Sequence, residues 1–265
     1  MFGRRKIAAL VAEFLGTGFL TLLILSVQRS TIGVPFFVAS AAGLTIVAMV
    51  LAFYRVSGAH FNPALTLALF TARRVTFIRM ILYILVQVAG AYAAYKLYTY
   101  FVHNSLQDIG GKFSWRVFTA EAVGTGLLAF GYAAARYQRF TVGTAAAVAG
   151  VAYMLGGIAA SSASVGLINP AVAFGVKAVT YAYILGPVVG ALVGVNLYAL
   201  LFAIPEGAVA EAGASELDVL QKKVGRDAEV TQTTVTTVKP VRKPRAVKAG
   251  SAKPRTTAKR APRVR

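Results

Sequence analysis

The chain has 265 residues, of which 57% are hydrophobic and only 14% charged. About a quarter of the residues are charged in an ordinary soluble domain, so that class is excluded. The net charge of +19 is unevenly spread: before position 205 the only acidic residues are Glu13, Asp108 and Glu121, and half of the 28 basic residues lie after it.

Arg4, Arg5 and Lys6 precede a first apolar run at 7–27. A basic start of this kind also opens signal peptides, but the run is long and related runs recur, so it reads as a retained membrane helix. Roughly 20 apolar residues are needed to cross about 30 Å of hydrocarbon. Five more segments qualify: 36–54, 80–102, 117–135, 142–160 and 181–203. Two shorter apolar stretches, 61–70 and 168–178, each open at Asn-Pro and read as half-helices. The chain therefore divides into an apolar body, 1–204, and a polar tail, 205–265.

Lys and Arg in short loops set orientation. Arg55, Arg73, Arg74 and Arg79 flank the second-to-third connection, and Arg136 and Arg139 lie in the fourth-to-fifth. With six spans these share a side with Arg4, Arg5 and Lys6, so both termini are expected in the cytoplasm of a cell whose plasma or inner membrane the protein crosses several times.

The body repeats. AEFLGTGFL at 12–20 matches AEAVGTGLL at 120–128, pairing Glu13 with Glu121 at an offset of 108, and Asn62 pairs with Asn169 at an offset of 107. The repeats run from about 7 to 102 and from 117 to 203. Each holds three spans, an odd number, so the two insert in opposite senses about an axis in the membrane plane. The half-helices then enter from opposite faces. Pro63 and Pro170 suit a first helical turn, where a missing N–H costs nothing, and Asn62 and Asn169 before them are strong N-caps. Ala64 and Ala171 complete each triplet. Irregular backbone at that depth survives only against protein or water, and two facing helix N-termini give a positive potential that disfavours cations.

AEFLGTGFL, SGAHFNPALT, QVAGA, AEAVGTGLL, INPAVAFG and LGPVVGALVG, in this order, resemble the major intrinsic protein family, the aquaporins and aquaglyceroporins. The resemblance covers about residues 7–203. It implies an all-α membrane protein with six transmembrane helices and two re-entrant half-helices, passive transport, one pore per subunit and a homotetramer. It assigns Asn62 and Asn169 as pore donors, and Glu13 and Glu121 as buried carboxylates that brace the re-entrant loops; the plainer reading is an interface carboxylate. His60 matches a His that often precedes the first Asn-Pro-Ala.

One departure stands out. The family carries Arg directly after the second Asn-Pro-Ala, where this chain has Val172. By spacing, the other constriction positions are Ala42, Gly157 and Gly166. Together these four would form a wide, apolar, weakly selective mouth. The other reading is that Phe36, Phe37, Tyr153 or Phe174 narrows it again. Ala173 lacks the Asp of glycerol facilitators, Lys177 fits them, and Tyr183 sits where water-selective members carry an aromatic. Expected solutes are water, glycerol, urea, ammonia or metalloid hydroxides.

The tail segment 239–265 holds Lys, Arg, Pro and Ala and no acidic residue. It cannot bury a core and is expected to be disordered. It reads as a solvated tail, or as a contact for anionic lipid, with nucleic acid disfavoured because no aromatics interleave the basic residues. There is no cysteine and only two histidines. No nucleophile–base pair, metal cluster or phosphate loop is visible, so no cofactor, metal or enzymatic activity is expected. The competing reading is a non-conducting scaffold or adhesion protein whose tail recruits a partner.

Overall fold

A computed structural model describes residues 3–31 and 33–203; the basic tail, and the disorder expected of it, lie outside the described residues. Eight helices follow in order: α1 (Arg4–Gln28), α2 (Pro35–Ser57), α3 (Pro63–Thr71), α4 (Phe77–Val102), α5 (Trp115–Tyr137), α6 (Val142–Ala160), α7 (Pro170–Gly175) and α8 (Tyr181–Phe202). No strand occurs among the described residues. Six of the helices are long and apolar enough to cross a membrane; α3 and α7 are the short ones.

Most spans extend beyond the sequence reading at ends where charge had seemed to stop them. α1 takes in Arg4 to Lys6, α2 runs through Arg55, α4 starts before Arg79, and α5 passes Arg136. Charge at a helix end does not break the helix; it only marks where hydrocarbon gives way to water. The half-helices are trimmed instead. Asn62 and Asn169 are caps with extended backbone, so the helices start at Pro63 and Pro170. α7 ends at Gly175 rather than 178, because Lys177 turns left-handed at φ 64° and the Ala178 N–H closes onto the Ala173 carbonyl at 2.8 Å. α3 ends the same way, with Arg73 at φ 58° and the Arg74 N–H on Leu69 O at 2.8 Å. Such left-handed termini satisfy carbonyls that the helix leaves open.

The spanning helices expose large apolar side chains, among them Leu44, Leu85, Trp115 and Leu200. That is the surface expected where the solvent is lipid. Inward faces carry small residues, which bring helix axes close. α2 crosses α6 where a Cβ on Gly43 would stand 2.7 Å from Gly150 O. α1 meets α4 at Gly90, against Phe14 O, and α5 meets α8 at Gly190, against Ala122 O. The pairs α1–α4 and α5–α8 are related by the repeat, as are α2 with α6 and α3 with α7. α3 packs on α4 and α8, α7 on α4 and α8, and the two half-helices touch end to end. The architecture is an inverted repeat of three spans plus one half-helix per half.

Candidate functional site

The meeting point of α3 and α7 is built by their caps. Asn62 Oδ1 accepts from Ala64 N at 2.9 Å, and Asn62 Nδ2 donates to Ile168 O at 2.9 Å. Asn169 Oδ1 accepts from Ala171 N at 3.0 Å and Val172 N at 3.4 Å, while Asn169 Nδ2 donates to Phe61 O at 2.8 Å. Each asparagine thus caps its own half-helix and ties itself to the carbonyl just before the other asparagine. An amide nitrogen has two hydrogens, so each keeps a second N–H beyond the cross-tie. Ala64 and Ala171 are fully buried behind them.

The segments that lead to the caps run against ordinary backbone preference. Ala59, Phe61 and Ile168 have φ of 56°, 48° and 44°. Left-handed conformations cost non-glycine residues on the order of 1–3 kcal/mol each and persist only where surroundings over-determine them. The surroundings here are two carboxylates. Glu13 on α1 accepts from Ser57 Oγ (2.6 Å), His60 N (3.0 Å), Phe61 N (2.7 Å) and Gln87 Nε2 (2.8 Å). Glu121 on α5 accepts from Ser164 Oγ (2.7 Å), Leu167 N (3.0 Å) and Ile168 N (2.6 Å). Three donors of each network correspond under the repeat, Ser57 with Ser164, His60 with Leu167 and Phe61 with Ile168, and Gln87 adds a fourth to Glu13 alone. Even the turn inside each loop recurs, with Ala59 N on Ser57 Oγ and Gly166 N on Ser164 Oγ. Both carboxylates are fully buried, where charge is tolerated only with such a set of donors.

His60 is buried beside this network. Its Nδ1 lies 3.1 Å from Thr66 Oγ1, and its ring stands edge-on to Tyr83 and Tyr132.

Four positions were assigned to the outer mouth. Ala42 and Val172 share one buried cluster, and Val172 has no exposed surface. Gly157 and Gly166 pack backbone to backbone: a Cβ on Gly166 would lie 2.5 Å from Gly157 O, and one on Gly157 3.3 Å from Gly166 O and from Ala39 Cβ. Glycine at 166 also meets a φ of 71°. Of the aromatics weighed as narrowing this mouth, Phe36, Phe37 and Phe174 point outward, 58%, 47% and 41% exposed. Tyr153 alone lies inside, in the cluster with Ala42 and Val172, and its hydroxyl donates to Leu167 O at 2.9 Å.

At the opposite end of the same path lie residues that the sequence reading passed over. Tyr132 on α5 donates its hydroxyl to Gly58 O, and Arg136 follows one turn later. Their signal was in the repeat. At the offset of 108 the partners of Tyr132 and Arg136 are Ile24 and Gln28, so these positions break the symmetry.

A family model described as Major intrinsic protein matches residues 4–198. Aquaporin NIP1-1 of Zea mays is 30% identical over 211 residues, which cover 74% of this chain and 75% of the relative. Aquaporin-1 of Rattus norvegicus is 28% identical over 181 residues, 63% of this chain and 67% of the relative. Among solved structures, the aquaglyceroporin from Plasmodium falciparum matches with a TM-score of 0.64 at 20% identity, over 77% of this chain and 99% of that one, a likeness of fold. With the family match spanning most of the body, and with both Asn-Pro-Ala half-helices in place, the chain belongs to the major intrinsic protein family.

Proposed function

We propose that the chain is a passive channel for water and small uncharged solutes: glycerol, urea, ammonia or a metalloid hydroxide. The observation that carries this reading is the pair of asparagine caps, Asn62 and Asn169, held tip to tip with one N–H each beyond the cross-tie. An N–H at that point suits the oxygen of a neutral molecule. The two helix N-termini behind it disfavour a cation, and no proton carrier or coupling ion site is needed. Glu13 and Glu121 serve as braces that hold the pore-lining loops in their strained form.

Ala42, Gly157, Gly166 and Val172 form the outer mouth in this reading. None of the four carries a charged or hydrogen-bonding side chain, so the mouth is apolar and weakly selective, and Tyr153 beneath it sets the width. The basic loops support a cytoplasmic side for both termini at a plasma or inner membrane, and the family resemblance supports a homotetramer. The tail is a candidate contact for anionic lipid.

The substitution Val172→Arg tests the mouth. In proteoliposomes, stopped-flow light scattering should show glycerol flux cut about tenfold, the effect of an added barrier of about 1.4 kcal/mol, with water flux reduced much less. Equal loss of both would overturn the assignment of Val172 to the mouth.

A further inference from the structure

Resting on the channel reading above, we propose that Arg136 is the charge-selecting residue of this pore. It places the cation barrier at the inner mouth, the end formed by the C-termini of α2 and α5 and the start of α4.

The guanidinium stands over the loop that leads to Asn62. A Cβ built on Gly58 would lie 3.8 Å from Arg136 Nη1 and 3.3 Å from His60 Nε2. One turn back on α5, Tyr132 fixes the same loop by donating to Gly58 O. Tyr54, in the last turn of α2, lies within electrostatic reach of the Arg136 side chain. The group stands at the end of α5 beside the loop and is only partly exposed. Arg79 adds a second positive charge on the α4 side, with Nη2 on Ser57 O at 2.7 Å and on Tyr83 OH at 2.5 Å.

Nothing described at this mouth cancels both charges. The acidic residues among the described residues are Glu13, Asp108 and Glu121. Glu13, which braces the loop, sets at most one negative charge against the two guanidinium charges of Arg136 and Arg79. Asp108 bonds to Gly110 N, and Glu121 braces the other loop. His60 is buried.

The other mouth offers the contrast within one molecule. The repeat partners of Tyr132 and Arg136 are Ile24 and Gln28, and the residue after the second Asn-Pro-Ala is Val172. A pore open to neutral solutes at its outer mouth still needs a step that rejects cations. A guanidinium beside the loop that leads to Asn62, in a partly desolvated setting, repels a monovalent cation strongly enough to lower its passage on the order of tenfold or more.

The test uses the full chain in proteoliposomes. Glycerol flux is read by light scattering, and K⁺ leak by a trapped pH dye with a protonophore. The variants are Arg136→Gln, Arg136→Leu and Arg136→Lys. In wild type, glycerol flux should exceed that of empty vesicles with K⁺ leak at their level. In Arg136→Gln and Arg136→Leu the ratio of K⁺ leak to glycerol flux should rise on the order of tenfold, and Arg136→Lys should bring it back toward wild type. Lys keeps the charge but not the guanidinium fork, so its rescue separates charge from support of the fold. An unchanged ratio in Gln and Leu, or a wild type that already leaks K⁺, would overturn the assignment of Arg136. Wild type without glycerol or water flux would overturn the channel reading instead.

Discussion

Asn62 and Glu13 illustrate how much chemistry one position can hold in a membrane interior. An asparagine at a helix start is ordinary. Here its acceptor caps α3 and its donor reaches Ile168 O on the opposite loop. Glu13 and Glu121 answer a matching problem: N–H groups turned inward by a left-handed backbone need acceptors where no water is described. Replacing Glu121 by Gln would turn one acceptor oxygen into a donor facing Leu167 or Ile168. Each N–H left unpaired costs about 1–3 kcal/mol, so Glu121→Gln should lower the thermal unfolding midpoint in detergent by several degrees; an unchanged midpoint would mean the loop does not depend on the carboxylate. Both asparagines and both glutamates were legible in the sequence, because each occurs twice at one offset in an apolar setting. Tyr153 was one of four aromatics weighed at the mouth, and Arg136 was read only as a charge that sets orientation. Which face each occupies came from the fold.

At the scale of elements, the spans were legible from apolar length alone, and their ends were not. Arg55, Arg79 and Arg136 lie within α2, α4 and α5, and the sequence reading cut the helices short of them. The extent of α7 was also misjudged, because nothing in apolar character marks Lys177 as the left-handed stop. Helix crossings depend on backbone approach. Gly190 lies so close to Ala122 O that any side chain would force α5 and α8 apart, whereas a Cβ on Gly143 meets nothing within 4 Å. Overpacking a tight contact costs about 1–3 kcal/mol or more, while glycine to alanine in an open helical position gains roughly 0.5–1 kcal/mol. Gly190→Val should therefore leave little folded protein by size-exclusion chromatography, and Gly143→Ala should match or exceed the wild-type melting temperature. The reverse order would contradict the packing described for α5 and α8.

At the scale of the molecule, the inverted repeat is a near-symmetric frame that carries asymmetric chemistry. The loop networks under Glu13 and Glu121 share three corresponding donors, while the two mouths differ: Tyr132 and Arg136 at one, Ile24, Gln28 and Val172 at the other. The symmetric part was visible in the sequence as two copies of the same motifs. The asymmetric part was present in the same offset, which pairs Gln28 with Arg136, but the fold was needed to bring Arg136 to the loop at Gly58. The most direct measurement of the central claim is stopped-flow light scattering on proteoliposomes holding the full chain, for water, glycerol and urea, over a range of temperatures. A passive pore predicts water and at least one of the two solutes equilibrating faster than in empty vesicles, with weak temperature dependence and no saturation. Flux equal to that of empty vesicles for all three would contradict it.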